Sequence, residues 1–157
     1  MNSHHPDDAL LLAQVAGSLA GGHSLLVASH LEGCAHCRDR ANLLQAIGGA
    51  LLEDLPPAVL PAQALAQTLA AIDAGVAAPA TRLAPPTGRR PALPPGAQWP
   101  RALRGCNASG WRWIAPGTQW SRVRLPHDPD ANVFLLRMAA GRESSFHTHS
   151  GSELTQV

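Results

Sequence analysis

The run His30-Leu-Glu-Gly-Cys34-Ala-His-Cys37 puts one imidazole and two thiols in reach of each other. These are the nitrogen and sulfur donors that zinc prefers, and a structural zinc site is closed by four protein ligands in a tetrahedron. Suppose the run were one continuous helix. At about 100° per residue, Cys34 would lie about 40° from His30 and Cys37 about −20°, so all three would share a face. Gly33 interrupts that helix, and a break there still leaves three donors around one turn. His36 would point about 240° away and is set aside. The fourth donor has to come from elsewhere. The His4-His5 pair lies just ahead of the first predicted helix and can fold back to supply it. A redox dithiol shares the Cys-x-x-Cys spacing, but it follows a strand, and no strand is expected here. A metal would also hold together about 75 residues whose core is modest.

A second set of donors lies near the other end. Gly141 is followed by His147, His149 and Glu153. On a strand, residues i and i+2 point to the same face, so His147 and His149 project together. Glu153 can return on the next strand to complete a two-histidine, one-carboxylate set. Such a set suits zinc, iron, manganese or nickel. The plain alternative is a solvent-facing histidine pair.

The elements that must position these donors differ along the chain. Asp7 or Asp8 can cap a helix that starts at Ala9-Leu-Leu-Leu and fades at Ala20-Gly21-Gly22. Ser24 can cap a second helix through Leu31. A third is predicted from about Cys34 to Leu52, with Ala41, Leu44, Ile47 and Leu51 at helical spacing. Pro56-Pro57 ends it. A fourth begins at Pro61 and carries Leu65, Leu69 and Ile72. Prolines and arginines then crowd together and read as a semi-extended linker. Beyond it, short apolar stretches at Trp111–Ile114, Trp120–Leu125, Asn132–Ala139, Ser145–His149 and Glu153–Val157 alternate with turns at Pro116-Gly117 and Pro126–Asp130. That pattern predicts an all-β sandwich or small barrel. The expected organisation is a helical domain over 1–76, a linker over 77–97 and a β domain over 98–157.

Composition narrows the function. No stretch approaches the roughly 18 apolar residues of a membrane span. The start Met1-Asn-Ser-His-His-Pro-Asp-Asp lacks the basic, then apolar, character of a signal peptide. A cytoplasmic location is therefore expected, and three cysteines, two of them in Cys-x-x-Cys, agree with metal chemistry in a reducing compartment. Cys106 has no nearby partner and reads as a buried thiol. Residues 1–80 carry seven acids against two arginines, a balance of −5. Residues 81–157 carry ten arginines against four acids, a balance of +6. All twelve basic residues are arginine. The acidic half argues against direct nucleic-acid binding and for a basic protein partner.

His-x-x-x-Cys-x-x-Cys in a small acidic helical domain resembles the zinc-binding anti-sigma domain. The start His4-His5-Pro-Asp-Asp-Ala-Leu-Leu resembles the ChrR-type members in particular. The resemblance implies that His5 is the fourth ligand beside His30, Cys34 and Cys37. It also implies a non-catalytic regulator that clamps an extracytoplasmic-function sigma factor, in a 1:1 complex, and keeps it from core RNA polymerase. The fourth helix and the apolar face of the first are the expected contacts.

Gly141-x5-His147-x-His149-x3-Glu153 is similar to the first motif of the cupin superfamily, and ChrR-type proteins join the two domains in this order. The resemblance implies a second zinc or another divalent metal at His147, His149 and Glu153. It further implies that the β domain senses oxidative stress, such as singlet oxygen or organic hydroperoxide. The cupin pattern continues beyond the last residue, Val157, so only the N-terminal half of a barrel is expected, with unpaired edges. Two other readings remain. One is a dioxygenase-like cupin metalloenzyme with an accessory zinc module. The other is a zinc-stabilised interaction module for a partner that is not a sigma factor.

Overall fold

Asp7 begins the ordered helical region by accepting a hydrogen bond from the Leu10 amide at 2.8 Å, the expected work of an N-cap carboxylate. The computed structural model describes residues 4–75, 90–142, 151 and 153–157. Helix α1 spans Asp8–Val15 and ends in a Schellman turn. There Gly17 takes φ +69°, and the Gly17 and Ser18 amides return to the Gln14 and Ala13 carbonyls. Helix α2 covers Gly21–Gly33, α3 Ala35–Glu53 and α4 Ala64–Asp73.

One boundary differs from expectation. The second helix starts at Gly21, not at Ser24, whose amide is already bonded within the helix to the Ala20 carbonyl at 2.8 Å. Two glycines open a helix at an entropic cost of about 1 kcal/mol each, so something outside local propensity holds this end.

The β half is built around one strand. A 3-10 turn at Arg101–Leu103 precedes β1 (Asn107–Ala108), β2 (Arg112–Ala115), β3 (Thr118–Leu125) and β4 (Asp128–Met138). β3 is central: β1 and β2 pair with its one edge, β4 with the other, and every pairing is antiparallel. Pro116-Gly117 makes the expected tight turn between β2 and β3, with Gly117 at φ +77°. The β3–β4 turn is shorter than the predicted Pro126–Asp130. Leu125 pairs with Asp128, so Asp128–Asp130 already belong to β4. The four strands form an open sheet that does not close into a barrel. Glu153–Val157, expected as a strand, carries no ladder pairing, and Ser145–His149 lies outside the described residues.

Two cores follow. Leu11, Val27 and Cys37 form the helical one, with Leu19, Leu31, Cys34 and Leu44 against it. Leu103, Cys106, Ala108 and Val123 form the β one, and Leu25 of α2 packs into it. The two chemistry-bearing halves therefore share a helix. Cys106 lies where a buried thiol was expected, and burial raises its pKa. Among the described residues no helix is long and apolar enough to cross a membrane.

Leu11 is 2% exposed and its neighbour Leu12 52%. Leu11→Ala should lower unfolding stability by about 3 kcal/mol. Leu12→Ala should stay within about 0.5 kcal/mol. Urea titrations of the two variants beside the parent chain check this difference.

Candidate metal centre

Three segments converge on one point. Asp7 fixes the start of α1. One residue on, Asp8 pairs with Arg40 of α3, with Nη2 to Oδ2 at 2.5 Å, which draws the N-terminal residues toward α3. The arginine beside Asp8 holds its carboxyl below the usual range. The pair is exposed, so it guides more than it stabilises. His5 stands just ahead of this anchor. His30 lies in the last turn of α2, and Cys34 is the single residue between α2 and α3, in extended conformation at φ −113° and ψ 105°. Cys37 follows on the first turn of α3.

The α2–α3 corner is held by Arg38. Its Nη1 donates to the carbonyls of Leu31 at 2.7 Å and Glu32 at 3.0 Å, acceptors that the end of α2 would otherwise leave open. The sequence reading missed this residue. Its signal was a basic side chain one position after the last cysteine.

The donor atoms of His5, His30, Cys34 and Cys37 all lie within 4.8 Å of one another. His30 Nε2 is 3.3 Å from Cys37 Sγ. His5 Nδ1 is 3.5 Å from Cys34 Sγ and 3.3 Å from Cys37 Sγ. Bond lengths of about 2.0–2.3 Å to zinc give tetrahedron edges of about 3.3–3.8 Å. The three separations of 3.3, 3.5 and 3.3 Å match such edges. Two imidazoles and two thiols are the donor set of a closed structural zinc site, and the residues present fit that ion. His36 stays out of the set, although its ring lies 5.1 Å from that of His5.

Burial graduates across the cluster. Cys37 is 1% exposed and His30 7%, whereas His5 is exposed. The Cys37 thiol is pushed up to about 11, by burial first and then by the hydrogen bond and charge of Cys34. Burial, and secondarily the His5 ring, hold His30 below the ordinary histidine value. Both shifts reflect burial, which disfavours the charged form of each group. A cleft of about 350 Å³ opens beside the cluster, with His4, His5 and His30 on one side and Leu154–Val157 on the other.

Of the second predicted set, His147 and His149 lie outside the described residues, and Glu153 is exposed. Among the described residues, only the His5 cluster brings three or more His, Cys, Asp or Glu donors into metal-holding range.

No family model matches the chain. It is 39% identical over 154 residues to the anti-sigma-E factor ChrR of Cereibacter sphaeroides, covering 98% of this chain and 69% of that protein. It is also similar to a chain in the crystal structure of Rhodobacter sphaeroides SigE in complex with the anti-sigma ChrR. That match has 38% identity and a TM-score of 0.49, and covers 74% of this chain. The chain spans 59% of the length of that solved relative.

Two measurements test the centre. With the Cys37 thiol pushed up to about 11, the metal-free chain keeps its proton at neutral pH, so binding zinc expels it. Affinity should therefore rise with pH between 6.5 and 8, by about tenfold per unit for each proton displaced. Competition titrations at several pH values read that slope. In a second test, purified Cys37→Ser should lose its zinc and its cooperative melting, while His36→Ala keeps one zinc per chain.

Proposed function

The chain belongs to the ChrR family of anti-sigma factors, and on that premise we propose that it binds an extracytoplasmic-function sigma factor one-to-one and withholds it from core RNA polymerase. An anti-sigma factor acts by occupying its partner, and no turnover is required of it. The observation that carries the reading is the state of α3 and α4. Beyond Leu44, α3 leaves its apolar residues in solvent, with Ile47 at 48% and Leu51 at 64% exposure. Helix α4 buries none of its residues, and Leu65, Leu69 and Ile72 all project outward. Monomeric proteins rarely leave so many large apolar side chains of two helices in solvent. Glu53 and Asp73 on the same two helices, with Asp54 at the end of α3, add negative charge suited to a basic partner. On α1 the surface is smaller, because Leu11 is spent on the helical core and Leu12 is left exposed.

In this reading His5, His30, Cys34 and Cys37 hold a structural zinc that fixes the angle between α2 and α3. That angle sets where the free half of α3 projects. The ion supplies folding energy and geometry, and its ligands leave no open position for chemistry. The protein acts in the cytoplasm, where its partner meets the polymerase. The β half, with the motif His147, His149 and Glu153, is the candidate sensor of oxidative stress and holds a second divalent metal. Support for that part is the motif spacing and the family's membership, and it extends to the helical region 1–76, linker 77–97 and β domain 98–157 as separate units of work.

Co-expression with the sigma factor encoded beside its gene tests the proposal. The two should co-purify, and sigma-dependent transcription should fall. Leu65→Asp with Leu69→Asp should weaken capture by about tenfold or more while leaving one zinc per chain, because neither side chain touches the metal cluster. If the parent chain captures no co-encoded sigma factor, the proposal fails.

A further inference from the structure

Helix α2 presents two opposed stripes, and each is committed to a different half of the molecule. Val27 and His30 face the helical core and the donor cluster. Gly21, Leu25 and Glu32 recur at helical spacing on the other side, about 170° away, and face the β half. Leu25 enters the β core beside Leu103, Cys106 and Val123. At the start of the helix the contact is close enough that a side chain there would have to push its neighbours aside. A Cβ at Gly21 would lie 2.7 Å from Asp128 Oδ2, and one at Gly22 would lie 3.0 Å from Val133 Cγ2, both on β4. This close approach accounts for a helix that opens on two glycines. The Asp128 carboxylate there also meets the positive end of the helix.

At the far end the exchange is reversed. The Glu32 carboxylate accepts from the amides of Arg101 at 2.8 Å and Ala102 at 2.7 Å, capping the 3-10 turn of the β half. Those bonds hold its pKa below the ordinary carboxylate value. The same residue lies between donors His30 and Cys34, and its carbonyl accepts from Arg38, one position beyond Cys37. One residue is thus tied by its side chain to the β half and by its backbone to the corner that carries three of the four donors.

We propose that α2 is a relay. The β half, docked on the Gly21–Gly22–Leu25–Glu32 stripe, holds the His30–Cys34 corner in its metal-binding geometry, and undocking the β half loosens the metal. A rearrangement of the sheet then reaches the metal through a rigid helix without passing through the linker. The proposal rests on zinc binding by the four donors and is independent of the sigma-binding reading.

The test uses the full chain loaded with zinc, at one ion per chain by elemental analysis. Glu32→Ala and Gly22→Ala undock the stripe by unrelated means. Gly48→Ala is the control, since a Cβ there meets nothing within 4 Å. Two readouts are taken: the NMR amide resonances of Arg101 and Ala102, which report docking, and the rate of zinc transfer to a chromophoric chelator. Both undocking variants should move the amide resonances and speed transfer by about threefold or more, with Gly48→Ala matching the parent. Moved resonances with an unchanged transfer rate would overturn the relay. So would unmoved resonances in Glu32→Ala, or equal acceleration by Gly48→Ala. Absence of zinc from the parent chain would sink the metal reading itself. Failure to capture a sigma factor would leave both readouts standing.

Discussion

Burying a thiol beside a second thiol and an imidazole is unfavourable for charge and provides little cohesion while the group stays neutral. A divalent cation reverses that balance: it stabilises the thiolates, and the site becomes the strongest local constraint on the chain. Much of the helical half depends on this. Its buried apolar residues are few, with Leu11, Val27 and Ala41 the aliphatic ones. Helices α1 and α2, of 8 and 13 residues, are at or below the length at which isolated helices are marginal in water. The donors join the N-terminal segment, α2 and α3 at one point, and the N-cap at Asp7, the Asp8–Arg40 pair and the Arg38 bonds to the end of α2 all lie around it.

Helix α2 carries the second constraint. An amphipathic helix on a single core has one apolar stripe. This helix has two narrow ones, and so its sequence looks like a weak helix with a poor beginning. Gly21 and Gly22 read as a helix end when only local preference is weighed, because glycine is costly inside a helix. In the folded chain they sit where β4 crosses, and the missing Cβ atoms are what permit the crossing. Local propensity lost to a contact formed by residues more than 100 positions away.

The spacing His30, Cys34, Cys37 was legible because helical geometry alone puts the three on one turn, and the structure brings His5 to them. Helix α3 and strands β2, β3 and β4 were legible from periodicity and turn residues. Two-residue β1 was not, since Asn107–Ala108 has no pattern of its own and is a strand only because β3 lies beside it. Glu32 was counted simply as one of seven acids. Its partners are two backbone amides some 70 residues on, and main-chain donors leave no mark on a side-chain pattern.

The bare apolar length of α3 and α4 has a consequence for concentration. The area a partner would cover is equally available to another copy of the same chain. Self-association grows with the square of the protein's own concentration, whereas capture grows with the product of the two concentrations. A dilute protein in slight deficit of its partner stays occupied and soluble. An excess would favour contact between copies through the same leucines. Under the proposed function, the surface would favour balanced amounts of the two chains as much as tight binding.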